Sequence, residues 1–115
     1  MKQLVFTQEI KSKWLEALKS GDYIQGKRSL RKTRKDGAVC HCCLGVLAEI
    51  HPALTINEHT DDDVYLNGEN MGYDAFNKIL YSTNVHWRAL AWQNDEDNDY
   101  SNVIPLIEAL PTTDL

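Results

Sequence analysis

The sequence predicts an α+β domain with an N-terminal helix, a basic β-hairpin that runs into a central buried helix, and a helical C-terminal half. Three observations predict this order. Apolar residues recur at helical spacing between residues 10 and 18, an Asp36-Gly37 turn separates two extended arms, and the apolar segment Cys43–Ile50 directly follows the second arm. The chain has 115 residues, 43% hydrophobic and 25% charged, which is typical of a single folded domain, residues 1–115.

The first helix is predicted over residues 8–19. Ile10, Trp14 and Leu18 share one face, and Thr7 is a residue type that caps helix N-termini. Ser20-Gly21 ends the helix, because glycine is common just past a helix C-terminus. Trp14 is expected to lie in the core rather than in a binding site.

The hairpin is predicted from residues 27–42. Residues 27–35 hold six Lys or Arg, Asp36-Gly37 is a favoured two-residue hairpin turn, and residues 38–42 alternate in the manner of a strand. Side chains of an extended first arm would alternate between two faces. One face would carry Arg28, Leu30, Lys32 and Arg34, and the other would carry Lys27, Arg31 and Lys35.

From Cys43 the apolar spacing becomes helical and continues to Ile50. Pro52 disfavours helical geometry at the residue before it, so the helix is expected to end at His51. Gly45 is unfavourable inside a helix and therefore predicts the close approach of another backbone. These features make this helix the centre of the predicted fold.

Weaker signals follow. Residues 52–63 are interpreted as a loop. Residues 64–66 are interpreted as a short strand, followed by an Asn67-Gly68 turn and a weak partner strand beyond Glu69.

Apolar spacing then predicts three more helices. Their apolar positions are Tyr73, Phe76, Ile79 and Leu80 in the first, Val85, Leu90 and Trp92 in the second, and Val103, Ile104, Ile107 and Leu110 in the third. Thr83 or Asn84 is expected to cap the second of these helices, and residues 94–98 to form an acidic loop after it. Pro105 places the start of the last helix near Ser101 or Asn102.

The charge is divided unevenly along the chain. Residues 1–40 hold ten Lys or Arg and four Asp or Glu (10 − 4 = +6), whereas residues 41–115 hold two and thirteen (2 − 13 = −11). Such a division can orient the encounter with a charged partner over about 8 to 10 Å in physiological salt. It also opposes binding to long nucleic acid, for which the chain shows no recognised motif.

No apolar run is long enough to span a bilayer or to act as a secretory signal, so no membrane association is expected. The three cysteines, two of them adjacent, do not suggest a disulfide framework. A reducing compartment such as the cytosol is therefore predicted.

The cysteines raise the question of a zinc site. Cys40 and Cys42 would project to the same side of a strand, and His51, His59 or His86 could complete a ligand set. The spacing does not match the common zinc motifs, and there is no second cysteine pair. Packing in the core is the favoured role, and no metal or cofactor is predicted.

A cysteine nucleophile is the second alternative. Cys42 or Cys43 would lie at the positive end of the central helix, which can lower a thiol pKa. His41 is adjacent in sequence but would point to the opposite face, so it is badly placed as a general base. The chain is therefore predicted not to be an enzyme.

Two blocks of the sequence resemble a known group of proteins. They are Trp14, Ala17-Leu18, Ser20-Gly21, Tyr23, Gln25 and Leu30 in the first, and Cys42-Cys43-Leu44-Gly45-Val46-Leu47 in the second. In both the chain resembles small accessory proteins of tailed bacteriophages and prophages, and a weaker likeness extends to Asn94-Asp95 and Tyr100. The resemblance implies a phage-encoded protein of the host cytoplasm. Small phage proteins without catalytic motifs are often counter-defence factors, an argument from analogy.

The basic arm and the resemblance together lead to the first hypothesis, a non-enzymatic counter-defence protein that captures a small phosphorylated ligand such as a nucleotide immune signal. Arg28, Arg31, Lys32 and Arg34 would contact phosphate, and Tyr23 or a tryptophan would stack on the base. The alternative is an inhibitor that blocks a host defence protein through the acidic C-terminal half. Homo-oligomerisation is left open.

Overall fold

The computed structural model describes residues 6–56, 63–66 and 68–112. Within these residues the chain forms a mixed α+β fold with five α-helices and two three-stranded sheets, as the sequence predicts. The elements in chain order are α1 (Gln8–Lys19), β1 (Ile24–Gln25), β2 (Arg31–Thr33), β3 (Val39–His41), α2 (Cys43–Ile50), β4 (Leu54–Ile56), β5 (Val64–Leu66), β6 (Glu69–Asn70), α3 (Asp74–Leu80), α4 (Trp87–Glu96) and α5 (Val103–Glu108). No helix in this part of the chain is long and apolar enough to cross a membrane.

The predicted first helix is confirmed. The Thr7 hydroxyl oxygen accepts a hydrogen bond from the backbone N–H of Ile10 at 3.2 Å, and Gly21 has a left-handed φ of +82° just past the C-terminus. Trp14 is fully buried, and its indole N–H donates to the carbonyl of Cys43 at 2.9 Å. The helix therefore packs its apolar face on the start of α2.

The hairpin is confirmed, but its first arm is shorter than predicted. β2 pairs with β3 in antiparallel register, with Lys32 opposite Cys40, and β1 pairs with the other edge of β3 in parallel. Residues 27–30 form a bend instead of a strand, so Leu30 is fully buried while Lys32 and Arg34 are exposed. The predicted common face of Arg28, Leu30, Lys32 and Arg34 is therefore wrong.

The hairpin turn also differs from the prediction. The Arg34 N–H donates to the Ala38 carbonyl at 2.8 Å, and the Gly37 N–H donates to the Arg34 carbonyl at 2.9 Å. Gly37 has a φ of +87°. The connection is thus a three-residue turn with glycine in the left-handed position, rather than a two-residue turn centred on Asp36-Gly37.

The central position of α2 is confirmed. Residues 43–48 are all buried, and the helix packs against α1, α4 and β4. It ends before Pro52, where the His51 N–H donates to the Leu47 carbonyl at 2.9 Å. A Cβ atom at Gly45 would overlap the backbone carbonyl of Leu30, so the predicted close approach is present.

The second sheet corrects the loop predicted over residues 52–63. Leu54, Thr55 and Ile56 form β4, which pairs with β5 so that Ile56 lies opposite Val64. Leu54 and Ile56 are buried and Thr55 is exposed, the pattern of a half-buried strand. The predicted partner strand is confirmed as β6, whereas residues 57–62 and Asn67 lie outside the described residues.

Two predictions about α4 are wrong. The helix continues to Glu96, so residues 94–96 are helical, and only the residues after them form the connection to α5. Its cap is His86, whose Nδ1 accepts from the Arg88 N–H at 3.1 Å, rather than Thr83 or Asn84. α5 follows Asn102 as predicted, with Pro105 in its first turn, where a missing N–H costs little.

Candidate functional site

The N-terminal end of α2 is held by a buried amide. Asn94 is fully buried in α4; its side-chain oxygen accepts from the Cys43 N–H at 3.1 Å, and its side-chain nitrogen donates to the Gly26 carbonyl at 2.8 Å. The Gln25 side chain donates to the Asn94 carbonyl at 2.6 Å. These contacts join β1, α2 and α4, and they place the bend at residues 27–30 against α4.

Arg28 is fixed in an unusual backbone conformation in that bend. Its φ is +66°, a left-handed value that costs a non-glycine residue about 1 kcal/mol or more. Its backbone N–H donates to Oδ1 of Asp95 at 3.1 Å, and the Lys27 ammonium donates to Asn98 at 3.2 Å. The C-terminal end of α4 therefore holds the bend, and backbone strain of this kind is concentrated at functional sites.

A pocket of about 150 Å³ lies between the bend and α4; we call it the Trp87 pocket. The residues that line it include Arg28, Ser29, Cys42, Tyr73, Trp87 and Asp95. The Tyr73 and Trp87 rings lie 4.7 Å apart between centroids with their planes at 59°, and the Arg88 guanidinium lies 5.6 Å from the Trp87 ring centroid. Among the described residues, the pocket thus combines an aromatic wall, formed by Tyr73 and Trp87, with the cationic side chain of Arg28 and the carboxylate of Asp95.

The contribution of α4 to the pocket is missing from the sequence-based prediction. Trp87, Ala91 and Asp95 are spaced four residues apart, so they share one face of α4, and all three line the pocket. The prediction instead placed Trp92 on the apolar face, but Trp92 is 63% exposed. The signal in the sequence that could have found this face is the four-residue spacing of Trp87, Ala91 and Asp95, which places an aromatic ring and a carboxylate on one side of a helix.

Of the five predicted ligand-binding residues, the structure places only Arg28 among those that line this pocket. Tyr23 lines a separate, shallow depression beside Ser20 and Ile50, and its ring meets the buried His41 ring edge-on at 5.1 Å between centroids. Burial, followed by the nearby charge of Glu49, raises the pKa of Tyr23. Tyr23 therefore packs on the sheet and does not form a wall of the Trp87 pocket.

The other three predicted residues lie on the hairpin. Arg31 and Lys32 are successive residues of β2, so their side chains project to opposite faces of the sheet. Arg34 forms an ion pair with Asp36 at 2.6 Å, and this guanidinium holds the pKa of the Asp36 carboxyl below its usual range. The predicted set of four cations therefore does not converge on one point.

All three cysteines are buried thiols. The Cys42 sulfur accepts from the Gly45 N–H at 3.4 Å and so caps α2, while the Cys43 thiol donates to the Leu90 carbonyl at 3.7 Å. Burial, followed by the proximity of Cys42, raises the pKa of the Cys43 thiol, which opposes the thiolate that a nucleophile requires. Among the residues that the structure describes, which omit His59, no three His, Cys, Asp or Glu side chains form a group that could hold a metal ion.

These features define a small α+β domain with a partly enclosed, mixed-polarity pocket beside its central helix. The chain belongs to the family described as a domain of unknown function, DUF8296, whose match covers residues 6–111. The comparison with curated proteins and the comparison with solved structures each found no match.

Proposed function

We propose that the protein binds a small phosphorylated ligand of the nucleotide class in the Trp87 pocket and sequesters it without chemical conversion. The observation that carries the proposal is the position of Arg28, which has a strained backbone conformation and lines a pocket that the aromatic rings of Tyr73 and Trp87 also line. A nucleotide has the matching two parts, an anionic phosphate and a planar base. The resemblance to small phage proteins supports a counter-defence role in the host cytoplasm, with a nucleotide immune signal as the ligand.

The aromatic wall suits the base. Trp87 and Tyr73 are partly buried, so each ring is held by packing yet contributes surface to the pocket. Stacking of a base on an aromatic side chain contributes about 1 to 3 kcal/mol and tolerates different bases. Trp87 therefore takes the stacking role that the sequence assigned to Tyr23 or to an unspecified tryptophan.

Arg28 suits the phosphate. A guanidinium can donate two parallel hydrogen bonds to a phosphate, and the side chain of Arg28 is exposed at the pocket. Because Asp95 holds the backbone of Arg28, the direction in which the side chain leaves the backbone is fixed before the ligand arrives, which lowers part of the entropic cost of binding. Arg31 and Lys32, which follow in β2, add positive charge that would attract an anion over several ångströms.

Calorimetry against mononucleotides, cyclic dinucleotides and ADP-ribose tests the proposal. We expect at least one to bind at physiological salt, and we expect Arg28→Gly to weaken that binding at least tenfold, because the phosphate loses a charged hydrogen bond. Glycine adopts a positive φ without strain, so the variant should remain folded. Lys35→Gly removes the same charge from the exposed hairpin turn and should bind as the unaltered protein does. No binding by any ligand in the panel would contradict the proposal.

A second candidate function is inhibition of a host defence protein through the acidic half of the chain. Trp92 and Tyr81, which are 63% and 85% exposed, favour it, because exposed large aromatic residues are enriched where proteins bind each other. Trp92 lies one turn before the acidic Glu96 on α4. This function predicts that the protein captures one partner from host lysate and that high salt removes the partner. Trp92→Ala should fail to capture it, whereas Arg28→Gly should still do so. Capture unaffected by Trp92→Ala would contradict it.

A further inference from the structure

Among the described residues that line the Trp87 pocket, Asp95 carries the acidic side chain. Its two carboxylate oxygens have different hydrogen-bond partners. Oδ1 accepts from the Arg28 backbone N–H at 3.1 Å and from the Asn94 side-chain nitrogen at 3.2 Å. No hydrogen bond to Oδ2 is formed by the residues the structure describes. One oxygen is therefore used to hold the bend, and the second is left with acceptor capacity.

An ionised carboxylate can only accept hydrogen bonds, so the ligand group beside it must donate. A carbonyl oxygen in that place would put two acceptors against each other and leave both unsatisfied. In a complex with a nucleotide, Asp95 would repel the phosphate and Arg28 would attract it, so the base would be the part of the ligand beside Asp95. The group that a base presents at this oxygen would then decide how well the base fits the pocket.

We propose that Asp95 is a specificity-determining residue that selects nucleobases bearing an exocyclic amino group, such as adenine and cytosine, over their oxo counterparts. This inference rests on the proposed nucleotide function and adds the chemistry of the base to it. AMP and IMP differ by an amino group in place of an oxo group, and so do CMP and UMP. We expect AMP to bind at least about tenfold more tightly than IMP, and CMP more tightly than UMP, because a carboxylate oxygen that faces an oxo group loses a hydrogen bond.

The Asp95→Asn variant tests the selection directly. The amide keeps an oxygen that can accept from the Arg28 N–H, and it replaces the second oxygen by a donor. Its preference should therefore disappear or reverse toward IMP and UMP. Glu96→Gln is the matched control, because it removes the same charge from the next residue of α4, which is exposed and is not among the residues that line the pocket. It should keep the preference for AMP and CMP.

Calorimetric titration of the unaltered protein and both variants with these four nucleotides decides the matter, with thermal unfolding as a check that each variant is folded. Equal binding of AMP and IMP, or a preference unchanged in Asp95→Asn, would overturn the selection by Asp95 while leaving nucleotide binding in place. Absence of binding by all four nucleotides and by the wider panel would overturn the proposed function itself. If Asp95→Asn does not fold, the comparison of amino and oxo bases on the unaltered protein decides alone.

Discussion

The two ends of the segment 27–37, which comprises the basic residues and the hairpin turn, are held in different ways. At the anchored end, residues 27–30, α4 binds the backbone of Arg28 through Asp95, and Leu30 is fully buried against α2. At the turn end, residues 34–37, the side chains are exposed and Arg34 pairs with its own neighbour Asp36. Both ends are rich in cations, so charge density alone does not mark a site. What separates them is the packing that positions a cation beside a pocket.

The anchored end depends most on Gly45. We expect Gly45→Ala to destabilise the fold by about 3 kcal/mol or more, because the added methyl group would overlap the Leu30 carbonyl and neither backbone can move freely. Urea unfolding measures this loss. Gly68→Ala, where φ is +86° and space is open, should cost only the strain of about 1 kcal/mol. Equal losses in the two variants would mean that α2 and the bend are not tightly packed.

Asn94 gives the next largest effect. Asn94→Ala should cost about 2 to 3 kcal/mol, because it leaves the buried Cys43 N–H and the Gly26 carbonyl without their partners. The control is Asn98→Ala at the exposed position two residues after α4. Its free energy of unfolding is expected to lie within about 0.5 kcal/mol of that of the unaltered protein. Denaturant midpoints that coincide for the two variants would show that the buried Asn94 amide does not hold α4 to the start of α2 and to Gly26.

Tyr100 stabilises the end of β3, because its hydroxyl donates a hydrogen bond to the His41 carbonyl at 2.6 Å. Burial raises the pKa of Tyr100 above its ordinary 10.0 and that of Cys43 above 9.0. The unfolded chain therefore loses these protons first as pH rises, so the contribution of Tyr100 and Cys43 to stability should be constant below about pH 8 and should fall above pH 9 to 10.

Tyr100→Phe separates the two contributions. It should cost about 1 kcal/mol at pH 7 through the lost hydrogen bond and should make the alkaline loss shallower. Thermal unfolding from pH 6 to pH 11 measures both. A stability that rises with pH in this range would contradict the placement of these two groups.

The turn end should respond least. Arg34→Ala removes an exposed ion pair, which is screened by solvent, so neither the denaturant midpoint nor nucleotide affinity should change measurably. Titration of this variant beside Arg28→Gly sharpens the comparison between the two ends. A loss of nucleotide affinity in Arg34→Ala as large as that in Arg28→Gly would mean that the ligand contacts the whole hairpin and not only the bend at residues 27–30.

The elements that could be predicted from the sequence are those whose signals are local. Thr7, Gly21 and the apolar spacing between them specify α1, and Pro52 marks the end of α2. Gly45 even indicated a long-range contact, because a glycine inside a buried helix lowers helix stability unless a neighbouring backbone needs the space. β4 was missed because alternation over only Leu54, Thr55 and Ile56 is too short to distinguish from a loop.

The site was less predictable because it depends on contacts between distant parts of the chain. Arg28 and Asp95 are 67 residues apart, and their contact holds a bend where the sequence predicts the start of a strand. Residues that are far apart in the sequence also meet at the N-terminal end of α2. There the Trp14 indole N–H donates to the Cys43 carbonyl, the Cys43 N–H donates to the Asn94 side chain, and the Gln25 side chain donates to the Asn94 carbonyl.

The central claim is that the pocket beside Trp87 is the ligand site. The chain has three tryptophans, so an NMR spectrum of the ¹⁵N-labelled protein contains three indole N–H signals, which single Trp→Phe variants assign. On titration with the nucleotide that binds best in calorimetry, we expect a saturable shift of the Trp87 signal that Arg28→Gly abolishes, with the Trp92 signal unchanged. A shift confined to Trp92, or no shift at Trp87 at saturation, would contradict it.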